Sequence, residues 1–75
     1  MNNLHDPNCI NILLAAGFRY DDEDNLWYDE NPNRKKYYYR IGIFNNGRFF
    51  DLYGGGYDTK LGRFFTIDEC MLHVI

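Results

Sequence analysis

The feature that most constrains the fold of this chain is an Asn-Gly dipeptide between two β-prone runs, within YYYRIGIFNNGRFFDLY at positions 37–53. Asn46 and Gly47 both tolerate the positive φ that a type I′ turn requires, and such a pair between alternating apolar residues is a strong hairpin signal. A two-residue turn at this point places Phe44 opposite Phe49. The segment therefore predicts two antiparallel strands with a defined register.

This register divides the hairpin into two faces, because successive side chains of a strand point to opposite sides. We expect the first face to join the core: Tyr39, Ile41, Ile43, Phe50 and Leu52. The other face, which we call the second face, mixes rings with charges: Tyr38, Arg40, Phe44, Phe49, Asp51 and Tyr53. A shift of one residue would mix apolar and polar positions, so the burial pattern also favours the Asn-Gly turn.

A helix is predicted ahead of the hairpin, from Pro7 to about Ala16. Asp6 is a preferred N-cap, and proline suits the first helical position because its missing amide hydrogen would have no helical partner there. Gly17 supplies the left-handed conformation that commonly ends a helix. The apolar residues recur at helical spacing, so we expect one face of this helix to dock on the sheet.

A second, shorter helix is predicted from Ile67 to Ile75. Thr66 and Glu69 form a capping box, in which the two side chains satisfy backbone amides at the start of the helix. The residues expected to face the core are Ile67, Cys70, Met71 and Val74.

The remaining strands complete the predicted fold. Turn residues bound a first strand near 25–30, and a second strand covers 36–44. The third strand ends at the glycines 54–56. We interpret these glycines as a chain reversal, because the phosphate-loop pattern is absent. A short extended piece is expected at 62–65. We predict a single α+β domain over residues 1–75 in the order α-β-β-β-α, with a three-stranded antiparallel sheet and both helices packed on its aliphatic face.

Size and charge limit the possible functions. A domain of 75 residues has a marginal core, and an aromatic content of 19% compensates for this. The net charge of −3 does not predict affinity for nucleic acid or membranes. All charged residues between 20 and 33 are acidic: Asp21, Asp22, Glu23, Asp24, Asp29 and Glu30. All between 34 and 48 are basic: Arg34, Lys35, Lys36, Arg40 and Arg48.

The two cysteines, Cys9 and Cys70, have no CxxC spacing, so we interpret them as core thiols and predict neither a zinc site nor a redox pair. The apolar run at 10–16 is too short for a secretory signal or a membrane span. We therefore expect a cytoplasmic protein with reduced thiols and no membrane attachment.

Catalysis is not predicted. His73 shares a helical face with Glu69, but its position at the end of a helix, where the dipole favours a cation, explains it as well. Cys70 falls on the inward stripe, where a reactive thiolate is not expected. The acidic run at 21–25 departs from the calcium-loop pattern, which needs a glycine at position six. We predict no enzyme activity, no metal site and no cofactor.

The predicted order of helix, three strands and helix resembles that of double-stranded-RNA-binding domains and of the HicA-type RNA-cleaving toxins built on that fold. In those toxins a helix ending in glycine and an aromatic residue, here 17–18, precedes a hairpin with a catalytic histidine. This chain has no histidine between His5 and His73, so the resemblance does not imply that chemistry. Asp68 and Glu69 would repel phosphate at the start of the second helix, so the resemblance implies topology alone.

The second face is the predicted binding surface, because tyrosine and arginine are enriched at binding hot spots and a contiguous aromatic patch on a small domain is commonly an interaction surface. The residues predicted to bind a partner are Tyr38, Arg40, Phe49, Tyr53, Asp21, Asp22, Glu23, Asp24, Asp29 and Glu30. From the sequence it stays open whether Trp27 and Tyr57 cover this face from within the chain.

The predicted function is that of a non-catalytic protein-binding module, a monomer or weak dimer that acts on a larger protein or protein–nucleic acid complex. In size, acidity and aromatic content the chain is similar to the small inhibitors that phages and mobile elements encode against host defence, such as anti-CRISPR and anti-restriction proteins. An inhibitor of this kind would occlude a basic functional surface with its carboxylates. The alternative is a small RNA- or DNA-binding domain that uses the aromatic face and the basic segment 34–36, although a negative net charge disfavours direct nucleic-acid binding.

Overall fold

The computed structural model describes residues 7–32, 34, 39–54 and 59–74. Its elements are α1 (Pro7–Ala15), β1 (Phe18–Asp21), β2 (Leu26–Asp29), β3 (Arg40–Phe44), β4 (Phe49–Gly54), β5 (Thr59–Phe64) and α2 (Ile67–Met71). The strands form one antiparallel sheet in the order β1-β2-β3-β4-β5, so each strand pairs with its neighbours along the chain. The α+β class is confirmed.

The sheet has five strands, so the predicted three strands and the order α-β-β-β-α are wrong. No strand is predicted from the sequence at residues 18–21, but β1 lies there and pairs with β2 over all four of its residues. β5 replaces the short extended piece predicted at 62–65 and pairs with β4. Both added strands lie at the edges of the sheet. The side chains of β5 are largely exposed and show no apolar alternation, whereas β1 alternates Phe18 and Tyr20 with Arg19 and Asp21, but over only four residues. The topological resemblance to double-stranded-RNA-binding domains therefore does not hold for this sheet.

The predicted register of the β3–β4 hairpin is confirmed, from Phe44 opposite Phe49 to Arg40 opposite Tyr53. β3 begins at Arg40, whereas the predicted strand begins at residue 36. Residues 36–38 lie outside the part of the chain that the structure describes.

The turn of this hairpin contains one more left-handed residue than predicted. Asn45, Asn46 and Gly47 have φ values of 53°, 57° and 88°. The amides of Gly47 and Arg48 both donate to the carbonyl oxygen of Phe44, at 3.1 and 3.0 Å. Asparagine tolerates this conformation better than most residues, which explains why two of them precede the glycine. The connection is therefore a four-residue loop, 45–48, in place of the predicted two-residue turn, and the register of the flanking strands is as predicted.

The signals that predict the ends of both helices are confirmed where the structure describes them. Gly17 has a φ of 96° and directly follows the last turn of α1. In α2, the hydroxyl of Thr66 accepts a hydrogen bond from the amide of Glu69 at 3.1 Å, as the capping box predicts. α2 ends at Met71, earlier than predicted. Asp6, the predicted N-cap of α1, lies outside the described residues.

The core lies between the helices and one face of the sheet. Its buried apolar residues are Cys9, Leu13, Phe18, Trp27, Tyr39, Ile41, Phe50, Leu52 and Cys70. α1 and α2 both supply members of this cluster, and Ile67, Met71 and Val74 pack against it. The predicted packing of both helices on the aliphatic face is therefore confirmed. Trp27 belongs to this core and does not cover the second face, while Tyr57 lies outside the described residues.

Candidate functional site

The candidate site lies on the second face of the sheet, on the side away from both helices. The strand register places these residues there: Leu26, Tyr28, Arg40, Phe44, Phe49, Asp51, Tyr53, Lys60 and Arg63. β2 and β5 thus extend the predicted surface on both sides of the hairpin. Tyr38, which the sequence assigns to this surface, lies outside the described residues.

Asp51 lies near the middle of the second face and is only 3% exposed. Its carboxylate accepts hydrogen bonds from Nε and Nη2 of Arg63, at 2.8 and 3.1 Å, and Lys60 Nζ lies 3.3 Å away. The hydrogen bonds from Arg63 hold the pKa of Asp51 below its ordinary value of 3.8; burial opposes this, and Lys60 adds to it. Asp51 is therefore ionised at neutral pH and engaged by cations of β5.

The same arginine connects the ion pair to the aromatic part of the face. The guanidinium carbon of Arg63 lies 4.0 Å from the centre of the Phe49 ring, a distance that suits a cation–π contact. The Phe49 ring in turn stacks on the Phe44 ring, with centroids 5.5 Å apart. Asp51 thus fixes Arg63 from one side while the two rings support it from the other. Three strands contribute to one ordered side-chain layer.

A groove of about 510 Å³ lies beside this layer. It is lined by Asp24, Asn25, Leu26, Phe44 and Tyr53. The Phe44 ring lies across Gly42 of β3, since a β-carbon at Gly42 would be 2.9 Å from the ring. The missing side chain at Gly42 therefore lets the ring lie low against the strand and form one wall of the groove.

The acidic β1–β2 turn forms one end of this groove. Asp21 accepts a hydrogen bond from the amide of Glu23 at 2.9 Å, and Asn25 has a φ of 56°. Oδ2 of Asp24 accepts the hydroxyl of Tyr28 at 2.6 Å. This hydrogen bond raises the pKa of Tyr28 to about 12. Four of the predicted partner-binding acids are therefore consecutive at this end of the sheet, Asp21 at the end of β1 and Asp22, Glu23 and Asp24 in the turn, and Asp24 lines the groove with the aromatic residues.

The other two predicted acids lie at the opposite end of β2. Asp29 forms an ion pair with Arg34 in which Nη2 lies 3.0 Å from Oδ1, and its side chain is 2% exposed. Arg34 also donates to the carbonyl oxygen of Ala16, so this pair ties the segment after β2 to the end of α1. Glu30 is exposed, and its amide donates to Gly17. The structure does not bring Asp29 and Glu30 together with the acidic turn.

The residues considered for catalysis have structural contacts. Burial raises the pKa of the Cys70 thiol to about 12, with Cys9 and Asp51 adding to the shift, so the thiol is protonated at neutral pH. The ring of His73 stacks on Phe64 with centroids 4.6 Å apart, and its Nδ1 lies 3.1 Å from the carbonyl oxygen of Glu69. Among the described residues no three potential ligands are close enough to hold a metal ion.

The sequence interpretation missed four members of the surface: Leu26, Tyr28, Lys60 and Arg63. Tyr28 and Leu26 alternate with the buried Trp27 in β2, so the period of two was a usable signal for them. Arg63 carries no such signal, because it reaches Asp51 only through a strand that has no apolar alternation.

No helix in the described part of the chain is long and apolar enough to cross a membrane. The chain matches no protein-family model, and neither a curated protein nor a solved structure resembles it closely enough to indicate a family.

Proposed function

We propose that this chain is a non-catalytic protein-binding module that attaches to a larger protein through its second face and acidic turn. The observation that carries the proposal is the groove between Phe44 and Tyr53, which ends at the acidic run 21–24 at the β1–β2 turn. Aromatic walls supply apolar area, and adjacent charges supply orientation and specificity, the combination found at the centre of protein interfaces.

The rigidity of the second face supports this proposal. Asp51, Arg63 and Phe49 hold each other through two hydrogen bonds and a ring contact. Side chains that are already fixed lose little conformational entropy on binding. Phe44, which is 39% exposed, is held by its stack on Phe49 and therefore offers a preorganised apolar anchor.

The acidic turn favours a partner protein that has a basic surface. Its carboxylates lie at the edge of the aromatic surface, where complementary charge accelerates association and fixes the orientation of the complex. We propose further that the chain acts in the cytoplasm as an inhibitor of the phage or mobile-element anti-defence kind, by occluding a basic, nucleic-acid-binding surface of a host complex.

The nucleic-acid-binding alternative has less support. Arg34, the first residue of its basic segment, is engaged by Asp29 and by the end of α1. Lys35 and Lys36 lie outside the described residues. We therefore treat nucleic-acid binding as an outcome of the test.

The test is quantitative affinity capture from a lysate of the host cell, with mass spectrometry of bound protein and sequencing of bound nucleic acid. The matched pair of variants is Phe44→Ser, on the second face, and Leu72→Ser, on the helix side, where Leu72 is 80% exposed. We expect one protein to be recovered with the unmodified chain and with Leu72→Ser but not with Phe44→Ser, and its nucleic-acid binding to fall when the chain is added. Circular dichroism confirms that both variants fold.

Two results would contradict the proposal. One is that no captured protein depends on Phe44. The other is that nucleic acid is captured directly and is released by Phe44→Ser, which would assign the second face to the alternative function.

A further inference from the structure

The groove on the second face has mainly aromatic walls, whereas one of its ends is acidic. Its walls are the rings of Phe44 and Tyr53 together with Leu26, and its end is formed by Asp24 and Asn25. Flat rings favour a planar or cationic group over a bulky aliphatic one, and a carboxylate favours a donor that carries positive charge.

The carboxylate at this end retains capacity for a ligand. Oδ2 of Asp24 accepts the hydroxyl of Tyr28 at 2.6 Å, and the residue is exposed. A carboxylate has about four lone-pair positions, so one hydrogen bond leaves room for a second donor. The pKa of Tyr28, raised to about 12 by this bond, keeps its hydroxyl protonated, so Tyr28 fixes the carboxylate without competing for the cation.

The charges around the groove agree with a cationic ligand. The turn at its end also carries Asp22 and Glu23, and Asp21 precedes them as the last residue of β1. Among the described residues, Arg40 pairs with Tyr53 and Tyr28, and Arg19 pairs with Tyr28; both lie on the side away from the turn. At the end of the sheet that holds the turn, the four acids are opposed by Arg48 of the β3–β4 connection, so the described charges there sum to a negative value, which favours a long cationic side chain with its charged group at that end.

We propose that this groove binds an arginine side chain of the partner protein, with the guanidinium group stacked against Phe44 and Tyr53 and hydrogen-bonded to Asp24. This inference rests on the proposed function and names the group that the second face recognises. Arginine fits better than lysine because its guanidinium is planar, stacks on rings and presents a fork of donors that matches a carboxylate.

The experiment is a titration of the isotope-labelled chain with the blocked tripeptide acetyl-Gly-Arg-Gly-amide, followed by amide chemical shifts in nuclear magnetic resonance. The same peptide with lysine or with citrulline in place of arginine serves as comparison, since citrulline keeps the shape and lacks the charge. We expect saturable shifts centred on residues 24–26, 44 and 53, weaker binding of the lysine peptide and no binding of the citrulline peptide.

Two variants separate a specific contact from general attraction. Asp24→Asn removes the carboxylate at the end of the groove, and we expect it to weaken arginine binding about tenfold. Asp22→Asn removes the same charge from the same turn at a residue that does not line the groove, and we expect a change of less than about twofold. Equal effects of the two variants, or equal or tighter binding of the lysine or citrulline peptide, would overturn the inference.

The outcomes distinguish this inference from the proposed function. If the peptide does not bind but capture of a protein still depends on Phe44, the arginine assignment is wrong and the protein-binding function stands. If no protein depends on Phe44, the proposed function fails even where the peptide binds.

Discussion

Leu52 and Asp51 are consecutive residues of β4, and both are buried, at 0% and 3% exposure. Leu52 is covered by elements that pack from outside the sheet, since both helices contribute to its cluster. Asp51 faces the side away from the helices and is engaged by Arg63 and Lys60, side chains of the adjacent strand. The comparison shows that burial alone does not identify a core: one face is a packed interior, and the other is a single layer of side chains held by charge and ring contacts.

The largest expected effect concerns the interior. Leu52→Ala removes a fully buried side chain, and the cavity that remains should lower the free energy of unfolding by about 2 to 5 kcal/mol. Tyr53→Ala changes the next residue, on the other face, and should cost less than about 1.5 kcal/mol, because Tyr53 is only half-buried. Chemical denaturation measures both. Equal losses would mean that the second face is as much a core as the first.

A smaller effect is expected from Asp51→Asn, which keeps the shape of the side chain and removes its charge. Arg63 is 46% exposed and can turn to water, so we expect a loss of about 1 to 2 kcal/mol at neutral pH. The pKa of Asp51 is lower in the folded chain, so its stabilisation is complete above the ordinary value of 3.8 and is lost as the pH falls through the folded pKa.

Chemical denaturation of the unmodified chain and of Asp51→Asn at a series of acidic pH values checks the direction of this pH dependence. The difference between the unmodified chain and Asp51→Asn should be constant at neutral pH and shrink below about pH 4. A difference that grows in acid would mean that Asp51 is protonated in the folded chain.

The smallest effect concerns an exposed carboxylate, in contrast to Asp51. Asp24→Asn should move the pKa of Tyr28 from about 12 toward its ordinary value of 10.0, because the hydrogen bond to the carboxylate is the largest cause of the shift. Alkaline titration of the Tyr28 ring resonances by nuclear magnetic resonance measures this. Asp22→Asn is the control and should leave most of the shift in place. A Tyr28 pKa that Asp24→Asn leaves unchanged would mean that the Tyr28 hydroxyl does not donate to Asp24.

Local signals predict the parts of the fold that depend on neighbours in the chain. Asn46-Gly47 predicts the hairpin register, Gly17 predicts the end of α1, and Thr66 predicts the start of α2. Each of these signals depends on contacts within a few residues of the chain. The two edge strands were not predicted, because β5 has no apolar alternation and the alternation of β1 extends over only four residues. Both faces of the β3–β4 hairpin follow from period two, whereas the side chains that β5 adds to the second face do not.

The contacts of the second face that the sequence does not predict join residues that are far apart in the chain. Asp51 and Arg63 are twelve residues apart in the chain and meet across two strands, and a residue pair of this kind leaves no pattern in a single sequence. Without β5, Asp51 is an exposed acid on an open face, which is how the sequence alone presents it.

The order β1-β2-β3-β4-β5 also has a consequence for how the chain folds. Every strand pairs with the strand before or after it, and the β1–β2 and β3–β4 connections are each only four residues long. Closing short loops costs little chain entropy, so the sheet can grow hairpin by hairpin. We therefore expect a low barrier to refolding, and a faster rate than that of a β-sandwich of the same length, whose strands must find distant partners.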